Sequence, residues 1–164
     1  MAREVPFPTN REELQLFQLL VHAPKIGEGV PDMAFATGVL LAPRRDRDSR
    51  DQEFLVLRGS VVRGTQGDSD QPTAVKARDR LRAKDALEPL IGGHFERLLY
   101  DVAFPNLSRA ANFLCGRAEN GWKVWKLDNK TMPWSVSEAY DYDETGKFEL
   151  LYYETPPGVI WIPR

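Results

Sequence analysis

At 164 residues, with 22 basic and 24 acidic side chains, a net charge of −2 and 42% hydrophobic residues, the chain is sized for one globular domain whose core needs no metal or disulfide. The longest uncharged apolar run, Met33 to Pro43, is about half of a bilayer span, and the opening Met-Ala-Arg-Glu-Val-Pro lacks both the apolar centre of a secretory leader and the Arg-rich, acid-poor character of a transit peptide, so a cytoplasmic protein with no membrane partner is expected. The single cysteine, Cys115, excludes an intrachain disulfide and a thiolate zinc cluster, and His22 and His94 form no HExxH or HxH, so no metal and no cofactor is expected.

In chain order, ELQLFQLLVHA (Glu13 to Ala23) fits a helix through Leu14, Phe17, Leu20 and Val21, and also a strand covered on both faces; the strand is the expectation adopted. KIGEGVPD is a turn by its two glycines and proline. MAFATGVLLAP and EFLVLRGSVVR are short aliphatic and β-branched runs separated by RRDRDSRDQ, which is too charged to pack, and they predict two antiparallel strands joined by a solvated loop. A second loop, GTQGDSDQPT, leads into Ala74 to Leu87, of helix-forming composition and without a breaker until Pro89. IGGHFERLLYDVAF then predicts a glycine turn and one or two strands ending near Phe104.

The segment FPNLSRAANFLCGRAENGWKVWK, from Phe104 to Lys126, has the clearest local logic. Asn106 is placed as a helix cap, because its side-chain oxygen can accept an orphan backbone N–H. Leu107, Ala110, Ala111 and Leu114 follow at helical spacing, and Gly116 supplies a stop. Cys115 reads as a small buried side chain of this helix. ENG is a turn signal, after which a period-two pattern predicts a strand with Trp122 and Trp125 on opposite faces, one inward and one partly outward, closed by LDNKT. Beyond Met132, ETGK predicts a hairpin turn between Tyr140/Tyr142 and Phe148/Leu150/Tyr152, and Pro156-Pro157-Gly158 breaks the chain before Val159 to Ile162. The expected fold is α+β, a mostly antiparallel sheet with two or three packed helices: one domain over residues 1–132, with an acidic C-terminal hairpin or tail, 133–164, packed on it.

Charge is unevenly spread. Residues 131–164 hold 2 basic and 6 acidic side chains, whereas the first 130 hold 20 basic and 18 acidic. AVKARDRLRAK carries Lys76, Arg78, Arg80, Arg82 and Lys84 against Asp79 alone, and the focal segment adds Arg109, Arg117, Lys123 and Lys126 against Glu119. Such excesses suit phosphates, and equally a solvated helix face. GxxxxGK[ST], GxGxxG and GxSxG are all absent. A restriction-type nuclease site would need a lysine where Leu55 follows Glu53, and a magnesium site would have to rest on carboxylates such as Glu96 and Asp101.

The focal segment resembles the signature F-S-S-P-S-x-A-A-x-x-V-x-G-R-S-x-N-G-W-x-x-W of a small bacterial domain family of unknown function, found fused to GIY-YIG nucleases and in restriction-modification neighbourhoods. That family is similar to the restriction-enzyme adenine-methylase-associated (RAMA) domain. EFLVLRGSVVR and RDRLRAKDAL are similar to the family's preceding strand and arginine-leucine helix, so the likeness covers residues 53–130, about half the chain. Pro105 and Asn106 stand where the signature has Ser-Ser, and Leu107 where it has proline. The resemblance implies a non-catalytic DNA-recognition module that reads double-stranded, methylated DNA, with Ser108, Arg117, Asn120, Trp122 and Trp125 as the base-reading set. Lys76, Arg78, Arg80, Arg82, Lys123 and Lys126 would then meet phosphates. No GIY or YIG motif is present, so cleavage is not implied. Two other readings stand beside it: a protein-interaction subunit that docks a partner through its acidic tail, with the motif as core, and a magnesium-dependent nuclease.

Overall fold

The computed structural model describes residues 3–22, 33–43, 52–64, 71–90, 94–128 and 134–164. The turn expected at 25–32, most of the two loops at 44–52 and 64–73, the glycine turn at 92–93 and the end of LDNKT lie outside the described residues. Along the chain run β1 (Arg3–Val5), β2 (Phe17–His22), β3 (Met33–Leu40), β4 (Phe54–Val56), β5 (Val61–Arg63), α1 (Pro72–Ala83), β6 (Leu87–Pro89), β7 (Phe95–Leu98) and β8 (Val102–Phe104). They are followed by α2 (Leu107–Cys115), the one-turn α3 (Gly121–Val124), β9 (Lys126–Leu127), α4 (Val136–Glu144), β10 (Leu151–Tyr153) and β11 (Ile160–Trp161). Among the described residues no helix is long and apolar enough to cross a membrane.

The principal sheet has six strands in the order β11-β8-β4-β3-β2-β9, antiparallel throughout except that β11 runs parallel to β8. A smaller antiparallel sheet, β5-β7-β6, and a parallel pair, β1-β10, complete a largely antiparallel α+β fold. The register explains the unbroken apolar runs in the sequence. Phe17, Leu19, Val21, Leu40, Phe54, Val56, Val102 and Phe104 belong to the main core with α1 and α2, while Val39, Leu55 and Ala103 alternate with them into a second core with Leu41, Leu57 and Tyr153. Both faces of the central strands are thus covered, and alternation in hydropathy vanishes.

Three expectations fail, each for a physical reason. The basic helix stops at Ala83, not Leu87, because Asp85 adopts a left-handed φ of 54° and Ala86 N–H turns back to the Leu81 carbonyl at 2.9 Å, a helix-ending motif usually built on glycine. Residues 121–124 form a helical turn where a strand was expected. Residues 136–144 form α4, not one arm of a hairpin: Ser135 caps it, Glu138 returns a bond to the cap, and Val136 and Ala139 bury one stripe. The C-terminal segment is integral to the fold, since Val136, Ala139, Leu150, Tyr152 and Ile162 all lie in the main core.

Candidate functional site

The corner formed by α2 and α3 is built by the motif residues themselves. Asn106 Oδ1 accepts from Arg109 N–H at 2.8 Å and caps α2, whose Leu107, Ala110, Ala111, Phe113 and Leu114 are buried. Gly116 ends it at φ 76°, and its carbonyl accepts from Gln71 N–H at 2.8 Å, which ties the end of α2 to the start of α1. Asn112 Oδ1 accepts from Glu119 N–H at 2.7 Å, fixing the connecting loop. Asn120 Oδ1 accepts from Trp122 N–H at 3.2 Å and caps α3. Gly121 N–H donates to Ser108 Oγ at 3.0 Å, and a Cβ on Gly121 would stand 2.2 Å from the Leu107 carbonyl carbon. Glycine is required here because two backbones touch. Trp125 Nε1 donates to the Leu107 carbonyl at 3.3 Å, and its ring lies 4.4 Å from that of Phe54, with no solvent exposure.

These contacts divide the expected base-reading set. Trp125 is sealed in the core and cannot stack a base, while the half-buried Ser108 accepts from Gly121 N–H and so ties α2 to α3. Trp122 is half-buried and meets Tyr140 edge-on at 6.2 Å, so one tryptophan points inward and one partly outward, on a helical turn and not on a strand. Arg117 and Asn120 are exposed. Arg117 Nε donates to Glu119 Oε1 at 2.7 Å, and that bond raises the guanidinium pKa further above its ordinary value.

The phosphate set divides as well. Lys76, Arg80, Lys123 and Lys126 are exposed. Arg78 is 2% exposed and cannot reach a phosphate. Arg82 is committed to Glu96, with Nε 3.2 Å from Oε2, and donates to the Gly64 carbonyl at 3.2 Å. The helix geometry accounts for part of this split: Lys76 and Arg80 are four residues apart on one exposed face and Arg78 turns toward the protein, while Arg82 is exposed and is held by Glu96.

Five of the exposed members, Lys76, Arg80, Arg117, Lys123 and Lys126, line two separate hollows, whereas Asn120 and the half-buried Trp122 line neither. One, of about 490 Å³, is lined by Arg117 and Lys123 from the α2–α3 corner, Lys126 of β9, and Leu20, His22 and Phe35 from the β2–β3 pair. It opens beside the edge of β2, which among the described residues pairs with β9 only at Phe17 and Gln18. Glu119 and Cys115 also line it, and burial pushes the Cys115 thiol up to about 11, so the sulfur is not a nucleophile at neutral pH. Lys76 and Arg80 line the second hollow. Sequence reasoning missed His22 and Phe35. Phe35 faces Leu20 across the ladder, and its 58% exposure depends on what covers that end of the sheet, which strand alternation alone does not report.

The carboxylates a magnesium site would use are already held. Glu96 accepts from Arg82, while Asp101 Oδ1 accepts from Arg11 Nη2 at 2.9 Å and from Arg58 N–H at 2.7 Å. Among the described residues there is no group of three or more His, Cys, Asp or Glu side chains suited to a metal ion.

The sequence model of a family described as a domain of unknown function, DUF4357, matches residues 45–133, more than half of the chain. No curated protein and no solved structure matches it. The matched segment supplies β4 through β9 with α1, α2 and α3, while β2 and β3, which stand between β4 and β9 in the sheet, come from outside it.

Proposed function

The chain belongs to the DUF4357 family of domains of unknown function, and we propose that it is a non-catalytic DNA-recognition module, directed at a modified base and working in a restriction-modification or phage-defence setting. The observation that supports this reading is the cationic hollow beside the motif, where Arg117, Lys123 and Lys126 surround an apolar floor that includes Leu20 and the exposed ring of Phe35. Lysines at a rim suit phosphates. A guanidinium and an Asn amide suit base edges, and an exposed aromatic ring offers a stacking face. Accordingly Lys123 and Lys126 are assigned to the backbone, Arg117 to a base edge and Phe35 to stacking, with Asn120 and Trp122 beside the hollow and not in its lining. The hollow's volume, about 490 Å³, accommodates a nucleobase.

Fluorescence titration against methylated and unmodified duplexes tests the proposal. Arg117→Gln is expected to lower affinity for the preferred duplex by about tenfold or more and to narrow the difference between the two, as removal of a bidentate hydrogen bond to a base does. Lys123→Gln with Lys126→Gln is expected to weaken both duplexes alike and to reduce the slope of log K against log salt by roughly 1.8. Absence of binding to either duplex at low salt sinks the reading.

A protein-interaction subunit is the second reading, favoured by the exposure of Met33 (53%) and Phe35 (58%) at one end of the β2–β3 pair. On that reading no duplex binds, and Phe35→Ser abolishes capture of the partner, for which the acidic face of α4 offers a further contact.

A further inference from the structure

The second hollow, of about 290 Å³, joins three stretches of chain that are far apart in sequence. Thr73, Lys76, Ala77 and Arg80 repeat at helical spacing along one face of α1 and form one wall. Arg109, from the first turn of α2, and the C-terminal residues 162–164 form the other. Arg109 Nη2 donates to the Pro163 carbonyl at 3.3 Å, which holds the guanidinium across the gap.

Among the described residues every charged side chain lining this hollow is basic, in a chain whose acids outnumber its bases 24 to 22. The one acid on α1, Asp79, is drawn to Arg82 on another face, at 3.9 Å. Among the described residues no carboxylate side chain forms an ion pair with Lys76, Arg80 or Arg109. Like charges held in one concavity repel, and a bound anion relieves that repulsion. The lining also includes the buried apolar side chains of Ala77 and Ile162, and Thr73, whose hydroxyl is a neutral hydrogen-bonding group.

We propose that the hollow between α1, Arg109 and the C-terminal segment is an anion site for a phosphate group, held by Lys76, Arg80 and Arg109. Its assignment to the DNA backbone rests on the function proposed above; the site itself does not. Relative to the sequence expectation, Arg78 and Arg82 leave the phosphate set, and Arg109 enters it.

Pyrophosphate titration followed by amide resonances provides the first arm, with duplex titration across salt concentrations as the second. Pyrophosphate is expected to shift the amides of Thr73, Lys76, Ala77 and Arg109 saturably, and Lys76→Gln with Arg80→Gln to weaken that binding at least tenfold. Both side chains are exposed and, among the described residues, without an ion pair, so the double variant is expected to retain the parent's melting temperature. In the duplex arm the same variant is expected to reduce the salt slope by roughly 1.8, about 0.9 for each phosphate no longer neutralised. Pyrophosphate binding without duplex binding supports the site with a small phosphate compound as its source, and overturns only the DNA reading. Amides unmoved by pyrophosphate, or moved equally in the double variant, overturn the site.

Discussion

Gly121 is defined by what it lacks. Its Cα faces the backbone of Leu107 and Ser108, and any side chain would overlap atoms that cannot move without unwinding α2. Gly121→Ala is therefore expected to lower stability by about 1–3 kcal/mol, or more where the corner cannot relax, read as a drop in the urea midpoint with the slope unchanged. Cys115 yields a pH prediction. Burial is the main cause that raises its thiol from 9.0 to about 11, with Glu119 adding to the shift and Arg117 and Arg63 opposing it. The folded chain holds that proton where the unfolded chain releases it, so the stabilisation is complete below pH 9 and is lost as pH rises toward 11. Burial raises Tyr152 and Tyr153 as well, which steepens the loss above their ordinary value of 10. Thermal melts from pH 7 to pH 10.5 are expected to fall along this course, less steeply in Cys115→Ala. Labelling by an aromatic disulfide at pH 8 is expected to be far slower in the folded chain than in urea, and equal rates would contradict the burial.

At the scale of elements, legibility followed locality. α2 was readable from cap to stop because Asn106, the apolar spacing and Gly116 act within one short segment. α3 was not, because ENG serves equally as a turn or as a cap followed by a contact glycine, and the contact that decides lies 13 residues upstream at Ser108. In α4 the signal is present but the hairpin expectation makes no use of it: Ser135 and Glu138 form a capping box, while Tyr140 and Tyr142, two residues apart, fit alternation. In the helix those rings diverge, Tyr140 toward Trp122 and Tyr142 stacked on Trp134 at 4.0 Å. Ser135→Ala is expected to cost about 1 kcal/mol in urea unfolding. At the end of α1 the left-handed Asp85 makes the opposite prediction: Asp85→Gly relieves a conformation unfavourable for a residue with a Cβ and is expected to raise stability by up to about 1 kcal/mol. The basic residues of α1 were legible as a charge excess, but which of them face outward depends on the helix's orientation, and that is set by its packing on α2.

At the scale of the molecule, the residues matched by the family do not make the sheet alone. Strands β2 and β3 separate β4 from β9, β11 flanks β8, and β10 closes the second core through Tyr153. The C-terminal segment, expected to pack on residues 1–132, shares the main core with them. Charge composition reports the surface, whereas the apolar residues of the C-terminal segment, Val136, Leu150, Tyr152 and Ile162, point inward. A chain of residues 1–132 alone is expected to lose near-UV dichroism and cooperative urea unfolding, and retention of a sharp transition would show that the segment is dispensable. Both hollows cross the boundary of the family match, since one draws on β2 and β3 and the other on residues 162–164.

The parallel pairing of Arg3 with Leu151 and of Val5 with Tyr153 carries a consequence for biosynthesis. At roughly 5–20 residues per second the ribosome leaves β1 waiting on the order of ten seconds for its partner, and the second core cannot close until β10 has emerged. Loop closure over so long a separation is slow and comes late. A stalled or truncated nascent chain would display Val39, Leu55 and Leu57 to solvent and to chaperones, so translation must pass Tyr153 before this protein can become inert to them.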